Sequence, residues 1–127
     1  MGVRAKRWYA LYTKSRAEKK AERELQLKGL EAYLPLEKRL KQWSDRKKWV
    51  EFPMFRGYLF LFSRTVYFPK VLEHPAAVHV VRLSGKFAAI PDDQIEFIKK
   101  VAENQYLSIK SFGIYKLNLG LIPLQKI

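Results

Sequence analysis

The sequence predicts an α+β sandwich: an antiparallel sheet flanked by helices, with a basic β-hairpin projecting from it. Three observations lead there. Short runs of bulky apolar residues alternate with period two, above all in FRGYLFLF at 55–62. Two other stretches carry helix-terminal residues and helical periodicity instead. Between the strand runs lies KQWSDRKK at 41–48, polar and turn-rich, which suits a solvated hairpin tip better than a core.

The elements follow in order. WYALYT at 8–13 alternates large residues and has high strand propensity, so it reads as the first strand. Ser15 and Glu18 have capping-box spacing, in which the hydroxyl accepts a free helix amide and the carboxylate reaches back. The helix so begun runs to Gly29, a residue suited to the left-handed position after a helix. Ala17, Ala21, Leu25 and the stem of Lys28 would face the sheet, with Lys19, Lys20, Glu22 and Arg23 outward. EAYLPLEKRL at 31–40 is a second strand, and Pro35 gives it an edge or bulged position. WVEF at 49–52 returns from the hairpin, with Trp43 and Trp49 expected to brace its base. PMFRG then turns the chain into YLFLF. A short helix is expected over 66–73, ended by His74-Pro75, because the residue before proline avoids helical geometry. VHVVRL at 78–83 is a further strand and Ser84-Gly85-Lys86 a turn. Pro91 opens a last helix, with Asp92 and Asp93 complementing its dipole, that ends near Asn104. The predicted order is β-α-β-β-β-α-β-α.

Composition narrows the function classes. A chain of 127 residues with 48% hydrophobic content is one folded domain, with room for an appendage. It has no cysteine, so disulfides and thiolate metal sites are excluded. No apolar run reaches membrane-span length and no secretory pattern opens the chain, which points to an intracellular, cytoplasmic protein with no membrane partner. His74 and His79 straddle a proline and do not share a helical face, so they make a poor metal or triad pair. There is no nucleophile elbow, P-loop or dinucleotide glycine motif, so no catalytic, metal or cofactor site is expected. Net charge is +13, with 15 bases and 6 acids in residues 1–50 against 10 and 6 in the remainder. That imbalance favours contact with a polyanion, nucleic acid above all, over a merely basic surface.

FRGYLFLF puts Tyr58, Phe60 and Phe62 on one side of an extended chain and Leu59 and Leu61 on the other. Its rings could stack on bases, fill a core or receive a protein. Arg56-Gly57-Tyr58-Leu59-Phe60 nearly fits the RNA-stacking strand of RRM domains. The companion motif on the first strand is lacking, however, because Tyr12-Thr13 stands where a polar-apolar pair belongs.

A second likeness covers more of the chain. W-Y-A-L-Y-T-K at 8–14, Y-L-P-L at 33–36, Q-W-S-D-R-K-K-W-V at 42–50, P-M-F-R-G-Y-L-F at 53–60, V-V-R-L at 80–83 and I-P-D-D-Q-I at 90–95 occur in one register. Together they resemble the N-terminal (NGN) domain of NusG-family transcription factors, with the hairpin most similar to specialised UpxY-type, RfaH-like antiterminators. The resemblance covers about residues 7–104 and assigns 1–104 to the domain. It implies a ferredoxin-like domain that binds bacterial RNA polymerase. The clamp helices of the β′ subunit would meet Tyr12, Phe55, Tyr58, Phe60, Ile95 and Ile98, and a second contact would reach the β subunit. Bridging the two suppresses pausing and termination, in UpxY-type members on particular operons. Lys14, Arg16 and Lys20 fall where relatives touch non-template DNA, and Arg46, Lys47 and Lys48 would meet nearby DNA or nascent RNA. On these terms Phe62 is core. The rival reading is a stand-alone single-stranded nucleic-acid-binding module that uses the hairpin and the YLFLF rings.

Two departures stand out. Family members usually have Phe-Pro-Gly-Tyr where this chain has Phe55-Arg56-Gly57-Tyr58, which frees an amide and adds charge. Residues 105–127 are too short for the family's C-terminal KOW barrel and lack its turn. That segment reads as a truncated or atypical tail, apolar enough to pack on the domain or mediate self-association.

Overall fold

The computed structural model describes residues 5–103, so the expectation for the tail lies outside the described residues. The chain runs through β1 (Arg7–Thr13), α1 (Glu18–Leu27), β2 (Glu31–Tyr33), β3 (Leu36–Gln42), β4 (Lys47–Pro53) and β5 (Tyr58–Ser63). A 3-10 turn at Thr65–Tyr67 leads into α2 (Phe68–Val71), followed by β6 (Ala77–Val80), β7 (Arg82–Leu83), β8 (Lys86–Phe87) and α3 (Asp92–Glu103). The main sheet has the order β2-β5-β1-β6 and is antiparallel throughout. Without the separate ribbons β3–β4 and β7–β8, the chain traces β-α-β-β-α-β, the ferredoxin-like path, followed by α3. The predicted α+β sandwich is the fold.

Alternation along β1 and β5 divides the molecule into two cores. Pairing sets Trp8 opposite Phe62, Ala10 opposite Phe60 and Tyr12 opposite Tyr58. On that face Ala10, Tyr58 and Phe60 pack with Ile95, Ile98 and Val101 of α3, together with Met54, Phe55, Val81 and Ile90. On the other face Tyr9, Leu11, Leu59 and Leu61 meet Ala21 and Leu25 of α1 and Phe68 and Val71 of α2. Phe60, Leu59 and Leu61 are fully buried, so β5 is covered from both sides. Truncating Phe60 to alanine would cost about 3–5 kcal/mol.

The helix ends show which local signals held. After α1, Gly29 takes φ 83°, its amide donates to Gln26 and the Leu30 amide to Leu25, which forms a Schellman stop. The start of α1 departs from expectation. Arg16 adopts φ 62°, the Ala17 amide donates to Lys14 and no side chain caps the helix. The capping box is therefore not formed. Glu18 instead turns inward, where it is 3% exposed and accepts the Gly57 amide at 2.7 Å. Glu22 does not simply face solvent either; it accepts the Leu34 amide at 2.7 Å and fastens α1 to the end of β2.

Other corrections are smaller. Pro35 separates β2 from β3 outright, because proline cannot donate to a ladder. The expected helix at 66–73 is the 3-10 turn plus one turn of α2. The run at 78–83 divides because Arg82 and Leu83 pair with Phe87 and Lys86 across a turn whose two central residues, Ser84 and Gly85, both have positive φ. Phe62 is half-buried rather than core: its ring lies 5.0 Å from Trp8 at the open end of the sheet face. Trp43 and Trp49 brace nothing at the hairpin base, since they are 42% and 64% exposed along the arm.

Candidate functional site

A row of rings crosses three strands at one end of the sheet. Tyr12 lies opposite Tyr58 on β5 and opposite His79 on β6, with ring centroids 5.3 and 5.2 Å away. Tyr58 is buried, Tyr12 half-buried and His79 exposed, so the row grades from core to surface. Burial, with the Tyr12 phenol beside it, pushes the Tyr58 hydroxyl above its ordinary pKa and keeps it a neutral hydrogen-bonding group. Beneath the row Phe55 meets Phe60 edge-on at 5.6 Å, over Ile95 and Ile98.

The turn that presents these residues is well fastened. The Phe55 carbonyl accepts the Tyr58 amide at 3.1 Å, and Gly57 has φ 84° while Arg56 keeps negative φ. This is the type II pattern, in which glycine suits the third position and proline would suit the second. Arg56 gives up that preorganisation and places an exposed cation on the turn. Gly57 is pinned from two sides: its amide donates to Glu18, and its carbonyl accepts the Thr13 amide at 2.7 Å. A side chain at Gly57 would be strained in the left-handed region.

The structure thus brings Tyr12, Phe55, Tyr58, Phe60, Ile95 and Ile98 together in or against one core. It exposes them unequally. Phe55, Tyr58, Phe60, Ile95 and Ile98 are 0–4% exposed and lie beneath the surface, whereas Tyr12 alone of the six reaches it. Burial of Tyr58 and Phe60 also removes them as a platform for nucleobases, against the stand-alone nucleic-acid reading.

Basic side chains surround this end. Lys14 and Arg16 lie exposed in the β1–α1 turn, and the Thr13–Gly57 hydrogen bond sets that turn beside Arg56. None of the three forms an ion pair among the described residues. Lys20 is exposed on the first half of α1. The ribbon β3–β4 leaves the sheet between the end of β2 and the start of β5, so it departs from this same end. Its base is closed by the Met54 amide on the Pro35 carbonyl at 2.9 Å and steadied by Lys19, which donates to the Glu51 carbonyl at 2.9 Å. Arg46, Lys47 and Lys48 lie exposed at its far end.

His74 serves the scaffold. It is 4% exposed, accepts the Ala76 amide on Nδ1 at 3.0 Å and so donates from Nε2 to Glu24 at 2.6 Å, which ties α1 to the loop before β6. That hydrogen bond, opposed by desolvation and aided by Lys20, holds the Glu24 carboxyl below its ordinary value. Among the described residues no three His, Cys, Asp or Glu side chains are placed to hold a metal ion, and no helix is long and apolar enough to cross a membrane.

Sequence reasoning missed the Glu18 clip, His79 in the ring row and the exposure of Trp49. A buried glycine amide in need of an acceptor would have been a signal for the first. Register alone could have placed His79.

The comparisons agree with this geometry. A family model described as "Transcription termination factor nusG" matches residues 6–99. No curated protein matches the chain. Among solved structures, 18 chains match. One, described as "Domain interaction in Thermotoga maritima NusG", is 21% identical with a TM-score of 0.56. The match covers 80% of this chain and 60% of that one, so this chain spans less than two thirds of its length. With the family model matching most of its residues, the chain belongs to the NusG family.

Proposed function

We propose that this protein is a transcription elongation and antitermination factor that acts by docking on RNA polymerase, of the operon-specific UpxY type related to RfaH. The ring row His79–Tyr12–Tyr58, rimmed by Lys14, Arg16 and Arg56, is the observation that carries the reading. An aromatic surface open at one side and backed by a rigid core suits the tip of a helical hairpin. The occupant is the β′ clamp-helix tip, met at the surface by Tyr12 and supported from beneath by Tyr58, Phe55, Phe60, Ile95 and Ile98. A second contact reaches the β subunit, and the two together disfavour opening of the clamp. Lys14, Arg16 and Lys20 then face non-template DNA, and Arg46, Lys47 and Lys48 carry the arm toward nucleic acid outside the enzyme. The factor works by binding, without catalysis or cofactor, in the cytoplasm where its polymerase is.

The test is capture of bacterial core polymerase by the full chain, followed by capture of the isolated clamp-helix fragment. The fragment should bind, and Phe55→Ala or Tyr58→Ala should weaken it by about 2 kcal/mol or more. Equal binding by folded variants would remove these residues from the site.

A further inference from the structure

Two neighbouring turns each hold an arginine where the backbone would suit another residue. Arg16, in the turn after β1, sits at φ 62°, a left-handed position that favours glycine or asparagine. Arg56 takes the second position of the type II turn Phe55–Tyr58, which proline would hold in its conformation. Nothing in the turn forbids proline there: φ is negative, and the Arg56 amide forms no hydrogen bond among the described residues. The Thr13 amide on the Gly57 carbonyl at 2.7 Å sets the two turns side by side. Elsewhere on the surface several cations are paired, Lys6 with Glu31, Arg39 with Glu37 and Lys99 with Glu96. Lys14, Arg16 and Arg56 are exposed and form no ion pair among the described residues. Glu18, the acid that reaches this turn, is buried and bonded to the Gly57 amide.

We infer that Arg56 is a specificity-determining residue of the docking surface, whose guanidinium receives a carboxylate at the tip of the docked helical hairpin. Arg56 lies in the turn that joins Phe55 to Tyr58, and Tyr12, the ring that reaches the surface, stands opposite Tyr58 across the strands. A partner seated on Tyr12 therefore has Arg56 at its margin. The guanidinium fork matches a carboxylate with two parallel hydrogen bonds. Because Gly57 is pinned through both its amide and its carbonyl, the turn loses little backbone freedom when it binds. Selection follows from sign. Lys14 and Arg16 add to the positive field at this end, and the Tyr58 hydroxyl stays neutral, so a basic tip is repelled. A neutral tip would desolvate the guanidinium without giving it a partner. A phosphate of DNA is the rival anion, but a position between Phe55 and Tyr58 places Arg56 with the rings that take the protein. The inference rests on the polymerase-docking reading above and adds the chemistry of the tip.

The experiment measures association and dissociation rates of the full chain with the isolated clamp-helix fragment, which carries no nucleic acid, across a salt series. Arg56→Gln should weaken binding about 5-fold, mostly through slower association, and reduce its salt dependence. Arg56→Lys keeps the charge and should restore most of the association rate. Arg56→Pro separates the side chain from the turn: it should raise the urea unfolding midpoint and still weaken binding as Arg56→Gln does. Replacing the carboxylates at the fragment's tip by amides, one at a time, should find one whose loss weakens the parent about 5-fold and leaves Arg56→Gln unaffected. Unchanged affinity and salt dependence in Arg56→Gln overturn the inference, as does an Arg56→Pro variant that binds as tightly as the parent. A tip with no coupled carboxylate also overturns it. If Arg56→Gln spares the fragment and weakens only elongation complexes that contain DNA, the cation meets phosphate and the inference fails. No binding by the parent overturns the docking reading and this inference with it, whereas a parent that binds beside an unaffected Arg56→Gln overturns this inference alone.

Discussion

Glu18→Ala should destabilise the domain far more than a helix-surface substitution would. The carboxylate is 3% exposed and accepts the Gly57 amide at 2.7 Å, across 39 residues of sequence. A hydrogen bond to a charged group contributes about 1.5–3 kcal/mol, and its removal leaves the Gly57 amide buried without an acceptor. The packing lost with the side chain adds to this, so about 2–3 kcal/mol is expected. That is a large share of the roughly 5–15 kcal/mol that stabilises a domain. Glu18→Gln keeps an oxygen in place and loses the charge, so its cost should be about 1 kcal/mol. Urea unfolding of both variants reads the effect as a shift in midpoint with unchanged slope. Because Glu18 steadies the Phe55–Tyr58 turn, the alanine variant should also bind clamp helices more weakly when folded. If both variants unfold within about 0.5 kcal/mol of the parent, as surface changes do, the carboxylate does not fasten the turn.

Three further outcomes are expected. The Glu24 carboxyl is held below its ordinary value of 4.5, chiefly by the His74 hydrogen bond, so it contributes stability that is present above that value and lost as pH falls through the folded-state value. Glu24→Gln should therefore reduce the acid-side slope of the unfolding midpoint below pH 4.5, and an unchanged slope would show that the pair is not linked to folding. Burial, with Glu103 and Glu22 nearby, pushes the Tyr33 hydroxyl up to about 12, so stability is unaffected below 10 and falls as pH rises from there toward the folded value. Tyr33→Phe should flatten that alkaline decline in unfolding midpoints. Charge reversal at Arg46, Lys47 and Lys48 should lower retention on elongation complexes and flatten its salt dependence; an unchanged slope would make the arm a solubility device.

Much of the fold was legible because its signals are local. Period-two alternation in β1 and β5 assigned faces correctly, so that Tyr58 and Phe60 separate from Leu59 and Leu61. Gly29, Pro35 and Gly57 each marked a backbone event that few other residues permit. The misses are places where tertiary contacts outcompeted a local motif. Ser15 and Glu18 have the spacing of a capping box, yet the buried Gly57 amide is the stronger claimant on the carboxylate. Phe62 has the same alternation as Phe60, but it lies at the open end of the face and meets Trp8 instead of the deep core. Trp49 looked like a brace because large aromatics are usually buried; the ribbon forms its own two-stranded sheet and leaves Trp49 64% exposed. Of the candidate site, the sequence located the ring cluster and the cations, while the grading of Tyr12, Tyr58 and His79 from surface to core needed three strands in register.

The most direct test of the account is the affinity of the full chain for the isolated β′ clamp-helix fragment, measured for the parent, Tyr12→Ala and Leu27→Ala. Tyr12 is the surface-reaching member of the core-backed ring row, and Leu27 is 80% exposed on α1, the helix that covers the opposite sheet face. The account predicts that the parent binds, that Tyr12→Ala weakens binding about 30-fold, and that Leu27→Ala leaves it unchanged. No binding by the parent, or equal binding by a folded Tyr12→Ala variant, would contradict it.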